Sequence, residues 1–155
     1  MALDLAKQIA YWRSGATEAL DTADFLLAGG RSNFALFFAH LALEKMLKAL
    51  VVERSHEMAP KTHDLLLLAR RAELALPAEL ALLLGQFQVY CMAGRYPDVD
   101  PASIDRRLAE LELTRAQETY KDAPLKMAIA PHYWRNPLYI IPLCTFCLAF
   151  QRDWR

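Results

Sequence analysis

A chain of 155 residues that is 55% apolar and 23% charged has the make-up of a folded globular domain. It is long enough to bury a core without a disulfide or metal staple. Lys+Arg and Asp+Glu both number 18, a formal net charge of zero, which argues against a broad basic surface for nonspecific nucleic-acid binding while leaving room for a local patch. The cysteines, Cys91, Cys144 and Cys147, are too few and odd in number for a secreted disulfide scaffold. The opening MALDLAKQIAYWR lacks the basic-then-apolar order of a signal peptide, so the expected location is the cytoplasm.

In chain order, the first predicted helix runs from about Leu3 to Ala28. Leu5, Ile9, Trp12, Ala16, Ala19, Ala23 and Leu26/Leu27 recur near a 3.6-residue period, the pattern of an amphipathic helix. Gly29-Gly30 stops it, because glycine takes the left-handed conformation of a helix end at little cost. Ser32 or Asn33 can cap a second helix. Its apolar residues, Phe34 through Val51, cover nearly the whole circumference, so a helix from about Phe34 to Val52 is expected at the centre of the fold. Thr62 can cap a third helix beginning at His63-Asp64 and reaching about Glu73, with Leu65, Leu68, Ala69 and Ala72 inward. Pro77 suits the first turn of a fourth, about Pro77 to Met92, closed by Gly94 and followed by an extended Arg95-Tyr96-Pro97 connector. Ser103 can cap a fifth helix to about Ala123, with Ile104, Leu108, Leu111 and Arg115 on one face. Short linkers favour antiparallel neighbours. The expected fold is all-α, an antiparallel, up-and-down bundle of four to five helices spanning residues 1–123.

Residues 124–155 read differently. Pro124, Pro131, Pro137 and Pro142 exclude a long helix, and six of the chain's 16 aromatics fall here. Asn136 to Gln151 carries no charge, but the stretch falls short of the roughly 20 residues of a membrane span and is interrupted by Pro142. No membrane association is expected. An irregular Pro- and aromatic-rich C-terminal tail, packed on the bundle or on a second subunit, accounts better for so much apolar surface. Charge divides at the same place: 14 Lys+Arg against 17 Asp+Glu through Ala123, then four against one.

AHLALEKMLKAL (Ala39 to Leu50), APKTHDLLLLA (Ala59 to Ala69), LPAELALLL (Leu76 to Leu84) and YCMAGRYPD (Tyr90 to Asp98) occur in that order. Together they resemble the HEPN family (higher eukaryotes and prokaryotes nucleotide-binding) over about residues 8 to 120. Gly94 stands where an alanine usually neighbours the R-Y-P string. The resemblance implies a helical bundle that forms a homodimer. It also implies a nucleotide or RNA ligand and a minimal nucleotidyltransferase as protein partner, in several cases as a toxin–antitoxin pair. Some members are metal-independent ribonucleases that rely on an R-x4–6-H string, in which His transfers protons and Arg stabilises phosphate. Of His40, His56, His63 and His132, none follows an arginine at that spacing. The resulting expectation is a non-catalytic module needing no cofactor or metal. A ribonuclease using a pair outside the usual motif, such as Arg95 with His63, and a purely structural interaction protein are the other readings.

The candidate site residues each have a plain structural alternative. His40 and Glu44 lie one helical turn apart and form a structural polar pair. Lys45 and Lys48 can contact phosphate, or snorkel to the bundle rim and pair with acids. Lys61 and His63 flank a helix start that could hold an anion, where Asp64 alternatively caps the helix. Arg95 can grip phosphate and Tyr96 can stack on a base, or the two can pair with Asp98 or Asp100 and pack on the bundle. Cys144-Thr-Phe-Cys147 is a lone pair without the further ligands of a zinc site and reads as two buried cysteines.

Overall fold

The computed structural model describes residues 4–93 and 104–121. Five helices follow one another: α1 (Leu5–Ala28), α2 (Ser32–Ser55), α3 (Leu65–Arg71), α4 (Ala78–Ala93) and α5 (Arg106–Lys121), and the described residues contain no strand. Among them no helix is long and apolar enough to cross a membrane.

α1 is free of proline and starts at Asp4, whose side chain accepts a hydrogen bond from Lys7 N at 3.0 Å. It stops at the expected glycines: Gly30 takes φ 73°, and Arg31 N bonds back to Leu26 O at 2.8 Å. A side chain at Gly30 would strain that turn. α2 packs against all four other helices and buries Ala35, Leu36, Ala39, Ala42, Leu43, Leu47 and Ala49 to Val52. It is thus the centre that its all-round apolar sequence implies. His56, at φ 56°, ends it.

Contacts between helices fix their directions. Arg13 meets Glu53, Trp12 meets Lys48 and Gly15 meets Lys45. Thr17 Oγ1 lies 2.8 Å from Tyr120 Oη, and Gln117 reaches Asp24. α1 is therefore antiparallel to both α2 and α5. Phe87, Leu84 and Leu83 of α4, Leu65 and Leu68 of α3, and Ala109, Leu113 and Ala116 of α5 complete one continuous core.

Several local expectations shift. Ser32 lies inside α2, whose N-cap is Arg31 with no side-chain cap; a cavity of about 260 Å³ lies at that end. Phe34 is exposed rather than central. Asp64, not Thr62, caps α3, because its Oδ1 accepts Leu67 N at 2.9 Å while Thr62 Oγ1 only braces Asp64 N at 3.2 Å. α3 is also shorter than expected, since Glu73 turns left-handed at φ 53°; its predicted inward face, Leu65, Leu68, Ala69 and Ala72, is fully buried. Pro77 stands just before α4, its carbonyl accepting Ala81 N. α5 is capped by Asp105, which accepts Leu108 N at 2.7 Å. The buried face of α5 is Ala109, Glu112, Leu113, Ala116 and Thr119; of the predicted Ile104–Leu108–Leu111–Arg115 stripe, Ile104 packs against the core just ahead of the helix. Small alanines let α5 approach the core, and Leu108 and Leu111 are left facing out. Gly94, Ser103, the Arg95-Tyr96-Pro97 connector, Cys144 and Cys147, and the tail from Pro124 lie outside the described residues.

Candidate functional site

His40, Glu44 and Lys48 recur every four residues of α2, so the helix places them one above another on one face. All three are buried. The turn at His56 and the linker to Asp64 bring His63 back to that face. The Glu44 carboxylate then meets a different partner at each oxygen: Lys48 Nζ donates to Oε1 at 2.7 Å, and His63 Nδ1 lies 2.9 Å from Oε2. Lys48 Nζ also stands 5.0 Å from the centroid of the Trp12 ring, within cation–π range.

Electrostatics follow from this geometry. Burial alone would raise the Glu44 pKa. Hydrogen bonds from Lys48 and His63, with their charges, outweigh that and hold the carboxyl below its usual range. The ionised carboxylate makes His63 Nδ1 the donor, which leaves Nε2 as the second functional nitrogen. The His63 side chain is 49% exposed, against 3% for that of Glu44, so a buried anion orients an accessible imidazole. His40 behaves differently. Burial pushes its pKa down to about 4, against the pull of Glu44. Its Nδ1 is 4.0 Å from Glu44 Oε2, and its buried Nε2 has no hydrogen-bond partner among the described residues. His40 and Glu44 thus sit side by side as a polar pair, but at 4.0 Å no hydrogen bond joins them.

The remaining candidates separate clearly. Lys45 Nζ donates to the Gly15 carbonyl at 3.2 Å across the α1–α2 seam. A side chain at position 15 would place its Cβ 2.8 Å from that ammonium, so glycine leaves the space that Lys45 fills. Lys45 and Lys48 are thus engaged inside the bundle, and the two do not join Lys61 in one open groove. Lys61 is exposed and makes no ion pair among the described residues. It stands two positions before His63 in the same linker. Arg95 and Tyr96 lie outside the described residues. Among the described residues no three His, Cys, Asp or Glu side chains come together as a metal ion would require.

Sequence reading missed two supports of the site. Gln88 Oε1 accepts Leu65 N at 3.3 Å and ties the start of α3 to α4. Its signal was an amide within a largely apolar helix, shared with Gln86 two positions earlier. Trp12 was read only as part of an apolar stripe; its contact with Lys48 depends on how α1 and α2 align.

The family model of the HEPN domain matches residues 9–125, which takes in α2 to α5 and all but the first turn of α1. No curated protein matches the chain significantly. Among solved structures, the chain is similar to TT1696 from Thermus thermophilus, at 25% identity, over 79% of this chain and 97% of that one, with a TM-score of 0.65.

Proposed function

Because the chain belongs to the HEPN domain family, we propose that it is a non-catalytic binding module for a nucleotide phosphate, working as a homodimer with a minimal nucleotidyltransferase subunit in a toxin–antitoxin pair. The observation that carries the binding reading is the linker ahead of α3. His63 is accessible and oriented by a buried carboxylate, and Lys61 is exposed beside it. A lysine ammonium offers phosphate a compact charge. A fixed imidazole adds a directed donor when protonated, and little side-chain entropy is left to lose on binding. Lys45 and Lys48 build the platform instead of touching the ligand. Arg95 and Tyr96 remain candidates for the same ligand. The non-catalytic part of the reading rests on the missing R-x4–6-H string.

Calorimetry of the full chain with ATP, GTP and UTP tests this. Binding heat is expected with at least one nucleotide, weakened severalfold by Lys61→Ala and by His63→Gln. No heat at concentrations well above a millimolar Kd would overturn it.

The Glu44–His63 contact favours one other reading, a metal-independent ribonuclease. An imidazole held at Nδ1 by a carboxylate is a competent general base through Nε2. Metal-free RNA cleavage that disappears in His63→Gln and in Arg95→Ala would establish that reading. Cleavage unchanged in both would remove these residues from it.

A further inference from the structure

A cavity of about 280 Å³ opens between the start of α3 and the middle of α4, lined by Asp64, Leu66, Leu84, Gly85 and Gln88. It adjoins the linker that carries Lys61 and His63, since Asp64 follows His63 in the chain. Leu66 and Leu84 make its walls apolar, and Gly85 keeps it open. Glycine inside a helix costs stability relative to alanine, and no crowding neighbour requires it here. A Cβ at position 85 would meet only Leu66 Cδ1, at an ordinary 3.9 Å. The volume is just short of the ~300 Å³ at which small-molecule clefts begin, and one flat ring system needs less than a drug-sized ligand.

Two polar side chains line this cavity with fixed roles. Leu65 N can only donate, so its hydrogen bond at 3.3 Å identifies the Gln88 oxygen and leaves the amide NH2, at the other corner, as a donor. Asp64 Oδ1 accepts Leu67 N at 2.9 Å, and an ionised carboxylate has about four acceptor positions, so Oδ2 is left to accept. Three amides at the start of α3 are already engaged: Leu65 N by Gln88, Leu67 N by Asp64 Oδ1 and Leu68 N by the Asp64 carbonyl. The cavity therefore offers a ligand side chains, not a helix terminus. One donor beside a charged acceptor, between apolar walls, matches the hydrogen-bonding edge of a nucleobase. The carboxylate decides which base. Guanine sets two N–H groups side by side next to an accepting O6, so both can donate to Asp64 while O6 accepts from Gln88. Adenine, cytosine and uracil each present one N–H group on that edge. Hydrogen bonds to a charged acceptor are the strong ones, and a second such bond favours guanine.

We infer that the cavity of Asp64, Gly85 and Gln88 is a guanine pocket, so that the ligand of this chain is a guanine nucleotide. The inference rests on the phosphate-binding reading above and adds the base to it. The sugar of a nucleotide separates base from phosphate, which lets Asp64 meet the N–H edge while Lys61 and His63 meet the phosphate. Asp64 repels a phosphate placed in the cavity itself, which sets the orientation of the ligand.

Calorimetry of the full chain with GTP, ITP, ATP and tripolyphosphate reads this. ITP lacks the guanine amine, and tripolyphosphate lacks the base. GTP should bind at least about tenfold more tightly than ATP or ITP. Asp64→Asn keeps an oxygen to cap α3, and Gln88→Glu keeps one for Leu65 N, yet each should erase the preference for GTP over ATP. Gly85→Leu fills the cavity and should do the same while leaving tripolyphosphate binding unchanged. Equal affinity for GTP and ATP in the parent chain overturns the guanine pocket and leaves the phosphate reading standing. A GTP preference that survives Gly85→Leu in a folded protein does likewise, and Asp64→Asn decides the point if Gly85→Leu fails to fold. No heat with any of the four ligands overturns the phosphate reading and the pocket together.

Discussion

Acidification from pH 7 to pH 4 puts a proton on His40 in the unfolded chain well before the folded chain accepts one. The unfolded imidazole titrates near 6.5, whereas burial at 1% exposure lowers the folded value to about 4. The folded pKa is depressed, so the stability tied to neutral His40 is fully present above 6.5. It is lost progressively as pH falls, and the loss is complete near 4. Two and a half pKa units at about 1.4 kcal/mol each give roughly 3 kcal/mol, a large share of the ~5–15 kcal/mol that holds a domain together. Other groups titrate over the same range, Glu44 among them: Lys48 and His63 hold its folded carboxyl below its usual range, so the unfolded chain takes up that proton first as pH falls. The informative quantity is therefore the difference between the parent chain and His40→Gln. Urea unfolding followed by circular dichroism at several pH values should show the parent losing about 3 kcal/mol more than the variant across the window. An NMR titration should place the His40 ring midpoint near pH 4. Parallel stability curves, or a ring midpoint near 6.5, would refute the reasoning.

Glu44→Ala strands Lys48 in the interior and should cost about 3–5 kcal/mol, read as a lowered urea midpoint; a loss below 1 kcal/mol would mean that water or another acid takes over. Phe87→Ala removes the largest fully buried side chain and should cost about 3–5 kcal/mol by calorimetric unfolding, with the helical spectrum kept below the transition. Asp64→Ala removes the α3 cap and should cost about 1 kcal/mol, visible as faster hydrogen exchange at Leu67 N; unchanged exchange there would deny Asp64 that role.

How far the sequence could be read depended on the range of each interaction. The centrality of α2 was legible because its apolar residues occupy every side. The inner face of α3 followed from period alone. The Glu44–Lys48 pair was legible too, being one turn apart on a single helix. What failed was the choice between large and small residues on α5. Periodicity weights Leu108 and Leu111, but close packing on α2 favours Ala109 and Ala116. Asp64 was read as a cap alongside Thr62, whereas Asp105 was not read at all; each carboxylate accepts the amide three residues on. The site itself was least legible. His63 is 19 positions from Glu44 and Gly15 is 30 from Lys45. Nothing local announces either meeting, which waits on how the linker returns and how α1 aligns. The same fact explains why lysines that look like phosphate ligands in a string are engaged internally in the fold.

The α1–α2 seam is held at three heights: Arg13 with Glu53, the Gly15 carbonyl with Lys45, and Trp12 with Lys48. These are polar or cation–π contacts with definite partners, so sliding one helix by a turn (about 5.4 Å) would break all of them together. Apolar packing alone would resist such a slip less selectively. The two longest helices therefore behave as a ratchet with its pawl engaged, a fixed keel to which the rest of the chain is attached. Any rearrangement on meeting a ligand or another subunit must be taken up on the far side of α2, in the linker carrying Lys61 and His63 and in the helices beyond it.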